Sequence, residues 1–152
     1  MSKVRVHELA KGLNLQSKEL INIINGLGVE VKSHMSILEG KDLEVVIGHF
    51  RKIESEKSKK EEKKSIKRRI LNQCARELVL AQSSDWLFII TNGTMVDYAK
   101  KRIKDHIGRF TKLSNWISSN HELTEDDLNF LQSIEEIDCI FPEINYELYK
   151  KS

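Results

Sequence analysis

RELVLAQSSDWLFIITNGTMVD, Arg76–Asp97, sets two polar breaks between helical patterns, and their reading decides the fold. The apolar periodicity of an amphipathic helix runs into Ala81. Gln82, Ser83, Ser84 and Asp85 follow, side chains that bond backbone groups at turns and helix caps. Trp86 comes next, then the apolar run Leu87-Phe88-Ile89-Ile90, which fits a strand or a short buried helix equally by period. Asn92-Gly93-Thr94 breaks the chain again and starts a longer helical pattern. A tryptophan just after a polar break, between helices, is a core plug or a stacking platform.

Working outward, Ile66, Ile70, Cys74, Leu78 and Ala81 recur at helical steps on one face. Leu71 and Leu80 widen that face. Thr94 is the expected N-cap of the next helix. Its stripe is Val96 or Tyr98, Ala99, Ile103, Ile107, Phe110, Leu113 and Ile117, with Trp116 at the rim. Thr124-Glu125-Asp126-Asp127 caps a further helix and suits the positive end of its dipole. Leu128, Leu131 and Ile134 face inward there. Pro142 ends helical structure, and Ile144, Tyr146 and Leu148 form a tail that packs back. The apolar stripes predict an antiparallel helical bundle over residues 66–152.

The first fifty residues read as a minimal three-helix module, near the lower size for independent folding. Val6, Leu9, Ala10 and Leu13 form one face. Ser17 is placed to cap Lys18–Leu27, and Gly28 sits where a left-handed C-terminal cap belongs. A third helix is expected over Glu39–Ile53. Residues 51–69, RKIESEKSKKEEKKSIKRR, carry ten basic and four acidic side chains and only two apolar ones. Such a segment cannot bury itself in a core. It reads as a partly helical solvated linker or as a basic arm for RNA, phosphate or an acidic partner. The fold class is all-α, with folding expected in two transitions.

Composition narrows function. Net charge is +2, but residues 114–152 carry two basic and nine acidic groups. Global charge thus gives nucleic-acid binding little support. Lys18–Leu27 has a single cation, too few for a recognition helix. There is no phosphate-loop motif, no nucleophile elbow and no apolar run of membrane length. Cys74 and Cys139 read as two buried thiols in a reduced, cytoplasmic protein. The five histidines are scattered without metal-ligand spacing, so no metal and no cofactor is called for. Glycoside chemistry needs two carboxyl groups about 5–10 Å apart. Asp85 with Asp97, or Glu77 with Asp85, are the pairs to weigh, but Asp85 and Asp97 are more simply helix-start acids. No catalytic residue is assigned.

Two resemblances extend this reading. AQSSDW, NGTMVDYAKKR, HIGRF and DCIFPEINY, in that order over residues 66–152, resemble the C-terminal helical domain of glycoside hydrolase family 57 glucan branching enzymes. Leu87 stands where that family usually has Pro, and Cys139 where it usually has Asn. The resemblance implies a helical domain that flanks a catalytic barrel, and no residue here matches the barrel's carboxylates. It also implies that Trp86 lies toward a glucan cleft, with Gln82, Ser83, Ser84 and Asp85 as polar neighbours. Packing of Trp86 between helices stays open beside glucan contact. Leu87, Phe88, Ile140, Phe141 and Pro142 are the candidate docking residues for a barrel-bearing chain or a second copy. KVRVHELAKGLNLQSKELINIINGLGVEVKSHMSILE, from Lys3 onward, resembles the N-terminal module of bacterial translation initiation factor 2. The expectation is a non-catalytic accessory or adaptor protein of α-glucan branching, partnered by a barrel-bearing enzyme chain or α-glucan. The alternative is a translation-associated module binding RNA or the ribosome through residues 1–69. Neither involves a membrane, and homo-oligomers are compatible with the first.

Overall fold

The computed structural model describes residues 3–149. In chain order these form β1 (Lys3–Arg5), α1 (Val6–Gly12), α2 (Ser17–Gly26), β2 (Ile37–Glu39), α3 (Gly40–Ala81), α4 (Ser84–Thr91), α5 (Val96–Ser118) and α6 (Glu125–Ile137), then a 3-10 turn at Tyr146–Tyr149. The chain divides into two compact units, the first ending at Glu61 and the second starting at Glu62. It is all-α apart from the two three-residue strands.

The first unit closes around Val6, Ala10, Leu20, Ile24, Leu38 and Val46. Its strands are an addition to the sequence reading. Val4 pairs with Leu38 in an antiparallel ladder flanked by Lys3–Glu39 and Arg5–Ile37. Three residues are too few to show alternation in sequence. Caps fall one residue earlier than expected: Gln16 caps α2 and Ser17 is its first helical residue, because Glu19 reaches back to the Gln16 N–H at 3.2 Å. Gly28 takes φ +83°, the left-handed geometry its place after α2 requires. Asn25 then clamps the strand-like return, accepting from the Val31 N–H at 2.9 Å and donating to the Val31 carbonyl at 3.3 Å.

The helix expected to stop at Ile53 instead continues to Ala81 as α3. Its charged residues 51–69 contain no Pro or Gly, and Lys and Glu are good helix formers.

In the second unit, Ile70, Cys74, Leu113, Trp116, Leu131 and Ile134 make the core. Trp116 is therefore core, not rim: only 8% of it is exposed, with Phe130 edge-on at 5.9 Å. The α5 cap moves from Thr94 to Met95, which adopts φ +50°. Ile107, expected in the stripe of α5, is half exposed, and His106 takes the buried position. Leu148 is exposed, so the tail packs back through Ile144 and Tyr146. Both cysteines are free, but only Cys74 is buried; Cys139 is exposed, which corrects the expectation of two buried thiols. Cys139 lies beyond the end of α6, where no helix face draws it inward. No helix among the described residues is long and apolar enough to cross a membrane.

Candidate functional site

The α3–α4 junction is the most chemically distinctive place in the second unit. The break at Gln82 and Ser83 turns the chain from α3 into α4, with Ser83 as N-cap residue and Asp85 in the first turn. That turn fixes Trp86, whose indole N–H donates to the Leu80 carbonyl at 2.6 Å. Its ring meets Tyr98 edge-on at 6.3 Å and His106 at 6.5 Å, both on α5. Trp86 is half-buried, with its polar handle satisfied and part of its ring open to solvent. Gln82, Ser84 and Asp85, its neighbours in sequence, are exposed, and Ser83 is half-buried at the turn, where its carbonyl accepts from the Trp86 backbone N–H at 3.3 Å.

Leu87–Ile90 is helical, resolving the ambiguity of period, but it is not a buried helix. Leu87 is 70% and Phe88 69% exposed. α4 packs on α5 through its other side. Met95 and Tyr98 nearby in sequence are also open.

Beneath Trp86 lies a network that sequence reading missed. Glu77 and His106 are both fully buried, and the Glu77 carboxylate lies 2.6 Å from His106 Nδ1. Gln73 donates to Glu77 at 2.7 Å and to the Ile134 carbonyl at 3.2 Å. Arg76 donates to the Gln73 side-chain oxygen, to the Ile140 carbonyl at 2.7 Å and to the Phe141 carbonyl at 3.3 Å. Arg102 and Arg109 both grip Asp138, at 2.6 and 3.0 Å. Burial works to raise the Asp138 carboxyl, but its bonds to Arg102 and Arg109 outweigh that and hold it below the usual carboxylate range. His106 Nε2 has no hydrogen-bond partner among the described residues. Glu77 is committed to these partners inside the protein, so its carboxylate serves as a structural anchor for α5. Burial, aided by the Glu77 charge, pushes the Cys74 thiol up to about 11.

The network also places the other suspected docking residues. Arg76 holds the backbone of Ile140 and Phe141, while their side chains stay 42% and 49% exposed. Pro142 is exposed and lines a shallow groove of about 440 Å³ with Arg68, Asn72 and Asn145. Both candidate segments are thus tied to one stretch of α3: α4 through Leu80 and the 138–142 segment through Arg76. The signals for this network were the arginines of YAKKR and HIGRF in α5 and the Arg-Glu pair at 76–77, which a purely apolar periodicity passes over. Among the described residues no group of three His, Cys, Asp or Glu is placed to hold a metal ion.

Residues 49–149, two thirds of the chain, match the family described as 1,4-alpha-glucan branching enzyme, C-terminal. The chain belongs to this family. The network and Trp86 all lie inside this branching-enzyme C-terminal domain. Residues 1–52 match a second family, translation initiation factor IF-2, N-terminal region. The 1,4-alpha-glucan branching enzyme TK1436 of Thermococcus kodakarensis is 38% identical over 73 residues, 48% of this chain and 11% of that protein. Translation initiation factor IF-2 of Halothermothrix orenii is 54% identical over 67 residues, 44% of this chain and 9% of that protein. The IF-2 of Thermus thermophilus is 39% identical over 72 residues, 45% of this chain and 13% of that protein. The chain thus spans about a tenth of the length of the curated relatives it matches. No solved structure matches it.

Proposed function

We propose that this protein is a non-catalytic accessory protein of α-glucan branching. Its helical domain docks on the catalytic barrel of a branching enzyme carried by another chain and closes one side of the glucan cleft. The observation that carries this reading is the open face of α4. Leu87 and Phe88 present most of their surface to water, in a domain whose relative bears it inside a branching enzyme. Covering each such side chain is worth roughly 1.5–3 kcal/mol, enough to make them anchors of an interface. Trp86 stands beside this face with its N–H already satisfied. Its remaining ring surface is suited to stacking on the apolar face of a sugar, with Gln82, Ser84 and Asp85 as polar neighbours. The reading needs no cofactor and fits a cytoplasmic protein.

The test is reconstitution. A branching-enzyme barrel stripped of its own helical domain is mixed with this chain, and complex formation is followed by size-exclusion chromatography with light scattering. Branching is read from iodine-stained amylose. A complex, with restored branching, is expected. Leu87→Asp with Phe88→Asp should abolish it, while Trp86→Phe should preserve docking and weaken glucan retention. No complex, or one indifferent to the α4 aspartates, sinks the reading.

A further inference from the structure

The groove beside Pro142 lies wholly within the second unit. One wall is a face of α3, where Ser65, Arg68 and Asn72 recur at steps of three and four residues. The other wall is the chain at 142–145. That wall is tied to α3 at both ends. Arg76 holds the Ile140 and Phe141 carbonyls at 2.7 and 3.3 Å. Asn72 accepts from the Tyr146 backbone N–H at 3.0 Å. Between the ties Phe141 takes φ +53°, a conformation rare for a bulky residue, and its carbonyl accepts from the Ile144 N–H at 3.0 Å. The groove is therefore built before a ligand arrives, as small-molecule sites usually are. Its volume of about 440 Å³ falls inside their range of roughly 300–1,000 Å³.

The polar groups on these walls are of both kinds, and their free valences are fixed by what the rest of each side chain does. The Asn72 side-chain oxygen is taken by Tyr146, and the Asn145 side-chain oxygen accepts from the Glu147 N–H at 3.1 Å. A backbone N–H can be accepted only by the amide oxygen, so each half-buried amide turns its N–H2 donors outward. Neither N–H2 has a protein partner among the described residues. Arg69 is spent on Glu135, through two bonds of 3.2 and 2.6 Å. Arg68 and Glu143 make no ion pair among the described residues, so the groove keeps one cation and one carboxylate beside the two amides. Pro142 and Ile144 add apolar surface.

We propose that this groove is a second α-glucan contact, separate from Trp86; that the sugar is a glucan rests on the function proposed above. An anion would meet the amide donors but also the Glu143 carboxylate, and a cation would meet Arg68. A neutral ligand whose hydroxyls each donate and accept satisfies all four groups at once. Sugar rings have that edge, and C–H faces that lie on Pro142 and Ile144. Asn72 stands eight residues before Leu80, the residue to which Trp86 is bonded, so α3 sets the two contacts about 12 Å apart along its axis. The groove thus holds a glucan chain away from the cleft, and it does so without a barrel.

The experiment is affinity electrophoresis of the full chain in native gels with and without soluble amylopectin, backed by calorimetric titration with maltoheptaose and, separately, with inorganic phosphate. One variant carries Asn72→Asp and Asn145→Asp. Each change keeps the oxygen that accepts a backbone N–H and replaces the outward donor by an acceptor. A second variant, Arg68→Ala, alters an exposed helical position to the best helix former. A third is Trp86→Ala. Circular dichroism checks that each stays folded. The Asn pair is expected to weaken glucan binding about tenfold or more, the loss of two ordinary hydrogen bonds, and Arg68→Ala at least about threefold. Trp86→Ala should leave binding that the Asn pair then removes. The proposal is overturned by no glucan binding in the parent, by binding indifferent to both groove variants, or by phosphate binding as tightly as maltoheptaose. Binding lost with Trp86→Ala alone also overturns it, while supporting the glucan contact at Trp86. Failure to dock a barrel leaves this binding untouched, so the two readings fall separately.

Discussion

The Glu77–His106 pair gives the sharpest test of how the second unit is held together. Both side chains are fully buried, and the other polar neighbours of the Glu77 carboxylate among the described residues are Gln73 at 2.7 Å and Arg109 at 3.8 Å. His106→Leu leaves a carboxylate inside with one good donor, and breaking a buried pair this way costs about 3–5 kcal/mol. Glu77→Leu strands a buried imidazole whose Nε2 already lacks a partner, a loss of about 1–3 kcal/mol. The double variant removes both polar groups and leaves Gln73 its bond to the Ile134 carbonyl. It should therefore cost less than the sum of the singles by about 2 kcal/mol, a coupling typical of residues in one network. The chain's two tryptophans, Trp86 and Trp116, both lie in the second unit, so their fluorescence reports its unfolding alone. In urea, at a slope of about 1.5 kcal/mol per molar, His106→Leu should lower the midpoint by about 2–3 M. Additivity within about 0.5 kcal/mol would refute the direct pairing on which this account rests.

Three further outcomes follow from other contacts. Asp127 is held down to about 2, first by its bond to His121 and then by the Thr124 cap. A carboxyl depressed below its unfolded value near 3.8 adds stability that is full above about pH 4 and fades as pH falls towards 2; thermal melts should show the deficit of Asp127→Asn shrinking over that window. Cys139 is exposed and Cys74 buried with its thiol pushed to about 11, so a thiol reagent should titrate one cysteine in the native protein and two in denaturant. Asp138→Asn weakens both arginine clamps, and limited proteolysis should then cut the chain after α6 sooner than in the parent.

How much of this was legible in the sequence depended on whether one residue's environment is set by its neighbours in the chain. The breaks at 82–85 and 92–94, the left-handed Gly28 and the Thr124 cap are local, and local chemistry specifies them. The strand pair at Lys3–Arg5 and Ile37–Glu39 is not local: each strand is too short to show a period, and it exists only because α1 and α2 bring its partner back. The cap of α5 also slipped by one residue. Met95 takes the cap with φ +50°, a left-handed conformation that a non-glycine residue seldom adopts and that its side chain gives no reason to expect.

The site shows the same division, and there the hidden part matters more. Trp86 was found because an aromatic after a polar turn is conspicuous. What holds it was not, since apolar periodicity assigns the inner face of α5 to Ile107 and leaves His106 outside. The structure reverses that order because His106 and Glu77 satisfy each other, so a polar pair can take the buried positions that the pattern reserves for hydrocarbon. With the pair inside, Ile107, one helical step from His106, stays half exposed. Trp86, beside the face proposed to meet a barrel, has its ring 6.5 Å from His106, so the buried pair supports its seat. Replacing the pair by leucines preserves the volume of the core but removes the imidazole beside Trp86. The double variant should then lose its complex with the barrel even where its stability is nearly recovered, and a stable double variant that still docks would separate the two.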